Sequence, residues 1–91
     1  MYIILVYDIQ MDKSGAKIRK KVFDISKKYL TRIQNSVFEG QINESELFVL
    51  EKTIKKQIRS VDSLIIFKSK YDRPYVKAIY GITTDPTDNF L

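Results

Sequence analysis

Apolar positions along the chain form one unbroken run near the start and then recur at helical spacing. Residues 2–7, Tyr-Ile-Ile-Leu-Val-Tyr, are all apolar or aromatic. Such a run predicts a strand that is central in a sheet or covered on both faces. A turn is predicted over residues 12–15. Apolar side chains then follow at spacings of four, three and four, which predicts one face of a helix: Ile18, Val22, Ile25 and Tyr29.

An extended segment separates this helix from a second one. Three β-branched residues favour extended chain over 31–38, and Asn35-Ser36 predicts a tight turn or a bulge within it. In the second helix, Asn43 is a good N-cap, and Glu46 stands at the spacing of a capping box. Its predicted buried stripe is Leu47, Leu50, Ile54 and Ile58, and its C-terminal cations are Lys52, Lys55, Lys56 and Arg59.

The remaining elements complete a recognisable order. Residues 63–68 form another apolar strand, and residues 75–80 predict one further short strand, whereas the polar segment 85–89 is left unassigned. If the middle segment is a hairpin, the order is βαββαβ. We therefore expect one α+β domain over residues 1–91, a ferredoxin-like sandwich with both helices on one face of an antiparallel sheet. Residues 72–91 would be an extra C-terminal strand and tail.

The sheet face away from the helices would be apolar. Ile4, Val6 and one alternation of residues 64–67 fall on it. A face of this kind is usually covered by another surface. A chain of 91 residues also buries a small core. Both features predict a symmetric homodimer packed through its sheets.

Positive charge is concentrated in one part of the sequence. The net charge is +5, but residues 13–32 carry eight basic side chains and only one acidic one, a local charge of +7. A positive field of this size favours a polyanionic partner. The alternative, a solvated helix face, stays open, and charge alone does not separate DNA from RNA or from an acidic protein.

The composition excludes most familiar catalytic groups. The chain has no His and no Cys, so it cannot build a serine triad, a cysteine–histidine dyad or a zinc site of the usual ligands. Three isolated glycines cannot supply a phosphate-binding loop. Carboxylates with a hard divalent ion remain, a combination suited to phosphodiester hydrolysis. The first apolar run is too short for a membrane span and lacks a basic leader, which predicts a soluble cytoplasmic protein.

Three carboxylates are candidates for such a site. Asp8 directly follows the first strand, at the rigid edge of the sheet, where it would be either a metal ligand or a strand-ending residue. Asp12 lies in the turn and is expected to cap the first helix. Glu39 is expected to pair with a Lys or Arg in a structural role. Of the neighbouring aromatic residues, Phe38 is expected in the core rather than as a base-stacking platform.

Two motifs and their order resemble the CRISPR-associated Cas-two family. They are Tyr7-Asp8-Ile9 at the end of the first strand and the segment Ile-Gln-Asn-Ser-Val-Phe-Glu-Gly over residues 33–40. The resemblance covers roughly residues 1–67. It implies the ferredoxin-like fold and the symmetric dimer. In that family a C-terminal strand often adds to the partner's sheet, and residues 75–80 match that strand.

The resemblance also assigns roles to individual residues. It implies that Asp8 is the catalytic, metal-binding carboxylate. The ion that suits such a carboxylate is Mg²⁺ or Mn²⁺, and the aromatic neighbours Tyr7 and Phe38 are expected to support the site. Two copies of Asp8 near the dimer axis would form one site. The basic residues that match the family would contact phosphates, which position nucleic acid without reading its bases. They are Arg19, Lys20, Lys21 and Arg32.

The function implied is that of a subunit of the spacer-acquisition machinery. Such a homodimer bridges two dimers of the Cas-one integrase and holds double-stranded DNA across its basic surface. Many members are described as metal-dependent endonucleases acting on RNA or double-stranded DNA. One alternative is a stand-alone ribonuclease toxin similar to virulence-associated protein D. Another is a nucleic-acid-binding module without catalysis, although no stretch matches the RNP1 pattern of an RNA recognition motif.

Overall fold

The order of the elements up to residue 69 is the one that the sequence predicts. The computed structural model describes residues 1–71 and 76–81. Within them the elements are β1 (Tyr2–Asp8), α1 (Gly15–Lys27), β2 (Thr31–Gln34), β3 (Val37–Gln41), α2 (Glu44–Lys55) and β4 (Ser63–Ser69). The four strands form an antiparallel sheet in the order β2-β3-β1-β4. This is the α+β, ferredoxin-like βαββαβ arrangement.

The core lies between the helices and one face of the sheet. In the central strand β1, Ile3, Leu5 and Tyr7 are buried, and the residues between them are less so. Phe38 of β3 is fully buried opposite Leu5, which confirms its expected place in the core. Each helix adds a stripe to this core, chiefly Val22 and Ser26 from α1 and Leu47, Leu50 and Ile54 from α2.

The other sheet face, which we call the open face, is apolar as predicted. Ile4 and Val6 of β1 lie on it. Cross-strand neighbours share a face, so Phe67 and Ile65 of β4, opposite Ile4 and Val6, belong to it as well. Their side chains are 58% and 50% exposed in the single chain. Water therefore reaches a continuous apolar strip along β1 and β4.

The described C-terminal residues lie against part of this open face. Residues 76–81 are irregular in the single chain. The strand expected over 75–80, which would add to a partner's sheet, stays a prediction, and residue 75 lies outside the described residues. Side-chain contacts hold the segment instead of a ladder of backbone hydrogen bonds: Ile79 is 6% exposed beside Ile4 and Val37, and Lys77 pairs with the buried Glu39. That ion pair confirms the structural role expected of Glu39. The remainder of the tail lies outside the described residues.

Local turn and cap signals match the structure with one exception. Asn35-Ser36 forms the turn of the β2–β3 hairpin, and the register shifts at a bulge between Arg32 and Gln34. The capping box is complete, with Glu46 N–H donating to Asn43 Oδ1 at 2.8 Å and Asn43 N–H to Glu46 Oε1 at 3.2 Å. No helix in the described part of the chain is long and apolar enough to span a membrane.

The exception is the start of α1. Ser14, not Asp12, is the N-cap, and its side chain makes no capping bond. Asp12 lies two residues before the N-cap, and its Oδ1 accepts the Ser14 N–H at 3.1 Å rather than an N–H of the first helical turn. The same carboxylate is bound by Arg59, a stronger charged partner than a helix N–H.

Candidate functional site

Asp8 lies on the open face at the end of β1. Successive side chains of a strand point to opposite faces, so Asp8 follows Ile4 and Val6, whereas Tyr7 points to the core. Asp8 is exposed and stands opposite Ser63, the first residue of β4. Asp8 is therefore part of a regular strand and lies at the end of the apolar strip.

The Asp8 carboxylate is free of partners within residues 1–71 and 76–81. It makes no hydrogen bond or ion pair there, in contrast to five other carboxylates, which all have cationic partners: Asp12, Asp24, Glu39, Glu51 and Asp62. No group of three or more potential metal-ligating side chains occurs in that part of the chain. A hard divalent ion is nevertheless commonly held by one or two carboxylates, with water in its other positions. An exposed, unpaired carboxylate fits that donor type.

A cleft with basic walls lies on the opposite side of β1, beside α1. Its volume is about 340 Å³. We call it the basic cleft, and its lining residues are Tyr7, Met11, Ala16, Arg19, Lys20, Phe23, Arg32 and Asn35. Three cations converge there, from the first half of α1 and from β2. Such a concentration of charge suits a phosphate group.

Tyr7 forms the floor of the basic cleft. Its hydroxyl donates to the Asn35 carbonyl at 3.2 Å, and its ring stacks on Phe38 with centroids 6.1 Å apart. Burial raises the pKa of Tyr7 above its usual value, although the charges of Arg19 and Arg32 oppose that shift. The phenol is therefore neutral at physiological pH and keeps a proton that it can donate.

Arg32 is held in a defined position at the wall of the cleft. Its Nη2 donates to Asn35 Oδ1 at 2.6 Å and its Nε to the Gln34 carbonyl at 3.3 Å. The guanidinium lies 5.1 Å from the centroid of the Phe23 ring, which in turn packs edge-on against Phe38 at 5.6 Å. Arg32 thus keeps its charge at the cleft with little loss of side-chain entropy on binding.

The structure separates the predicted site residues into two groups. Tyr7, Arg19, Lys20 and Arg32 share the basic cleft, and Phe38 supports it from the core. Asp8 is on the other sheet face. Lys21 is exposed and does not line the cleft, and Lys20 also pairs with Asp24 at 3.3 Å on the surface.

A third cluster was missed by sequence reasoning. Arg59, expected at the C-terminal end of α2, follows that helix in the loop before β4, because α2 ends at Lys55. Its Nη1 binds both oxygens of Asp12 at 2.7 and 2.8 Å, and its Nε and Nη2 each bind Asp62 at 3.1 Å. No sequence signal pairs residues 47 positions apart. We call Arg59, Asp12 and Asp62 the arginine clamp.

The clamp perturbs all three ionisable groups. The hydrogen bonds from Arg59 lower the pKa of Asp62 to about 2 and also lower the pKa of Asp12. The two carboxylates in turn raise the pKa of Arg59. The clamp is consequently fully charged at any physiological pH.

Comparisons with known proteins agree on one family. The family model described as CRISPR associated protein Cas2 matches residues 1–73. A protein of Fusobacterium nucleatum named CRISPR-associated endoribonuclease Cas2 is 47% identical, over 100% of this chain and 87% of its own length. One of Moorella thermoacetica, named CRISPR-associated endoribonuclease Cas2 2, is 39% identical over 97% of this chain and 99% of its own.

Solved structures give the same result. A crystal structure of Cas2 is similar with a TM-score of 0.80 and 28% identity, over 100% of this chain and 98% of that one. The crystal structure of Streptococcus pyogenes Cas2 at pH 6.5 has a TM-score of 0.71 and 25% identity, over 76% of this chain and 86% of that one. Sequence and fold therefore agree: the chain belongs to the CRISPR associated protein Cas2 family.

Proposed function

We propose that the protein is a CRISPR adaptation subunit, which binds duplex nucleic acid as a symmetric homodimer and bridges dimers of the Cas-one integrase. The observation that carries the proposal is the convergence of Arg19, Lys20 and Arg32 on one cleft in a chain of this family. An adaptor of this type works through its shape and surface charge. The dimer would present two basic clefts related by the twofold axis.

The open face supports the dimer. Ile65 and Phe67 extend the apolar strip of β1 to the edge strand β4, and both are half exposed or more in the single chain. Full burial of such a side chain contributes roughly 1.5–3 kcal/mol, and covering the exposed half contributes about half of that. A second copy packed through the same face would cover the strip and bring two Asp8 side chains to one interface.

The basic cleft supports nucleic-acid binding through phosphates. Its cations come from two elements, and Tyr7 and Asn35 add polar groups between them. Phosphate contacts of this kind give affinity without sequence preference. The exposed lysines of α1 outside the cleft extend its positive surface: Lys17, Lys21 and Lys27.

The relatives named endoribonuclease favour a second activity, the cleavage of RNA. We propose that this cleavage depends on a metal ion and that double-stranded DNA is the other candidate substrate. Asp8 would hold Mg²⁺ or Mn²⁺, which when bound lowers the pKa of a coordinated water and offsets phosphate charge. Arg19, Lys20 and Arg32 would bind and orient the nucleic acid from the other side of β1. The free carboxylate of Asp8 is the observation that supports this role.

Capture of the Cas-one integrase tests the adaptor role. The protein, immobilised through a tag, is mixed with its integrase in the presence and absence of a short duplex. We expect retention of the integrase, and more of it with duplex. With the double variant Arg19→Glu/Lys20→Glu, adding the duplex should no longer increase the retention of the integrase.

The control variant is Lys55→Glu/Lys56→Glu at the end of α2, which changes the net charge by the same amount away from the cleft. It should behave like the unaltered protein. No capture of the integrase under any condition would contradict the adaptor role. Duplex-free cleavage of RNA by the protein alone would then favour the stand-alone nuclease.

A further inference from the structure

The arginine clamp holds the backbone immediately after Asp8. Asp62 Oδ1 accepts the Gln10 N–H at 2.9 Å, and Arg59 Nη2 donates to the Gln10 carbonyl at 2.9 Å. Both polar backbone groups of Gln10 are thus tied to one ion pair that lies about 50 residues away in the sequence. Both hydrogen bonds oppose movement of this loop residue.

The ion pair is itself held by several hydrogen bonds. The side chain of Asp62 is 0% exposed, and it also accepts the Arg59 backbone N–H at 2.8 Å. A buried carboxylate bound by a guanidinium fork and two backbone N–H groups has all its oxygens satisfied. Asp12 occupies the remaining edge of the guanidinium. The clamp therefore joins the loop after β1 to the loop before β4.

These two loops flank Asp8. Asp8 is the last residue of β1, and Ser63, its cross-strand neighbour, directly follows Asp62. Buried Ile9 is the single residue between Asp8 and the held Gln10. Gly15 leaves room for the same anchor, since a Cβ there would lie 2.2 Å from the Gln10 carbonyl oxygen. Both strands that carry the Asp8 site are thus fixed at their ends by one cluster.

We propose that Arg59 and Asp62 are positioning residues for Asp8, holding the end of β1 so that this carboxylate keeps one place from which to bind a metal. The inference rests on the metal-dependent nuclease role proposed above. A site with one carboxylate from each chain has few ligands, so its affinity depends on where that carboxylate stands. Loss of partners that orient a ligand typically lowers metal affinity or activity by about 10–100-fold.

The test compares Arg59→Lys with the unaltered protein. Lysine keeps the charge but cannot bridge Asp12, Asp62 and the Gln10 carbonyl at once. We expect Mn²⁺ affinity, measured by calorimetry, and kcat for Mn²⁺-dependent cleavage each to fall about tenfold or more. KM for the nucleic acid should stay within about twofold, because Arg59 does not line the basic cleft. Amide exchange at Gln10 should accelerate.

A second ion pair between α2 and β4 serves as the matched control. Glu51 and Lys68 are paired at 3.0 Å, and Lys68 stands opposite Ile3, five residues along the ladder from the Asp8 position, roughly 17 Å away. Glu51→Gln should lower thermal stability without changing Mn²⁺ affinity or kcat. Asp62→Asn, which can still accept the Gln10 N–H, should keep more Mn²⁺ affinity than Asp62→Ala.

The outcomes separate the two proposals. Unaltered protein that cleaves, with a folded Arg59→Lys variant of equal kcat and Mn²⁺ affinity, overturns the positioning role alone. A raised KM with unchanged kcat also overturns it and makes Arg59 a nucleic-acid contact. Unaltered protein that neither binds Mn²⁺ nor cleaves overturns the nuclease role and the positioning role together.

Discussion

Tyr7 and Asp8 are neighbours in β1 but serve opposite faces of the sheet. Tyr7 is 2% exposed and forms the floor of the basic cleft, whereas Asp8 is exposed on the open face. The two-residue period of a strand enforces this separation. The proposed phosphate binding at the cleft and the proposed metal binding at Asp8 would therefore occur on different sides of one strand, so substitutions should perturb them independently.

The dimer should depend on the open face. Phe67→Lys places a charge in the apolar strip. We expect the dissociation constant of the dimer to rise by at least about 100-fold, because each interface loses two Phe67 side chains, one from each chain. Phe48→Lys on α2 is the matched control, since Phe48 is similarly exposed but lies outside the sheet. Light scattering at about 20 μM, well above the Kd of a standard interface, measures the outcome. A monomeric unaltered protein would contradict the dimer.

Nucleic-acid binding should be strongly salt-dependent. Arg19→Glu/Lys20→Glu/Lys21→Glu should weaken binding equally for unrelated duplex sequences, because the contacts are to phosphates. Of single changes, Arg32→Ala should weaken binding more than Lys21→Ala, since Arg32 lines the cleft and Lys21 does not. Fluorescence anisotropy at several salt concentrations gives both results. Affinity that is independent of salt, or a loss confined to one sequence, would refute this mode of binding.

Removal of the Asp8 carboxylate should separate cleavage from adaptation. In Asp8→Asn we expect Mg²⁺- or Mn²⁺-dependent cleavage to fall below detection, since no other free carboxylate in the described part of the chain ends a strand. The fold, the dimer and the capture of the integrase should be unchanged, because Asp8 is exposed and these properties depend on the core, the apolar strip and the basic surface. Nuclease assays with and without chelator, alongside capture, provide the measurement. Cleavage that survives the substitution would indicate another site.

The buried hydroxyl group of Ser26 in α1 should lower the free energy of unfolding. Ser26 Oγ is fully buried without a hydrogen-bond partner among the described residues. Ser26→Ala removes that group and favours the helix, so we expect the free energy of unfolding to rise by about 0.5–1.5 kcal/mol. Thr53→Ala in α2 is the contrast, because Thr53 Oγ1 donates to the Val49 carbonyl at 2.6 Å. A lower midpoint of urea unfolding for Ser26→Ala would show that the hydroxyl has a partner.

The arginine clamp should make the protein sensitive to acid. The folded pKa of Asp62 is about 2, below the ordinary value of 3.8, because Arg59 hydrogen-bonds to the ionised form. Its stabilising effect is complete above pH 4 and is lost as the pH falls from about 4 towards 2. In Asp62→Asn the free energy of unfolding should be lower at neutral pH and change less across that range. Urea unfolding at several pH values measures this, and an equally steep loss in the variant would exclude Asp62 as its cause.

The sequence by itself determined the features that depend on neighbours in the chain. The capping box at Asn43 and Glu46, the turn at Asn35-Ser36 and the apolar strand β1 each follow from local geometry and were predicted correctly. The order of these elements was sufficient to predict the ferredoxin-like fold, because few topologies are compatible with it.

Tertiary structure alone decided the contacts between distant segments. Arg59 meets Asp12 and the Gln10 backbone only once β1 and β4 pair, and Lys77 reaches Glu39 only when the chain crosses the open face. Arg32 joins Arg19 and Lys20 around one cleft because the sheet brings β2 beside α1. These contacts join residues that are far apart in the chain. Tertiary packing determines which residues meet, and no local sequence pattern indicates it.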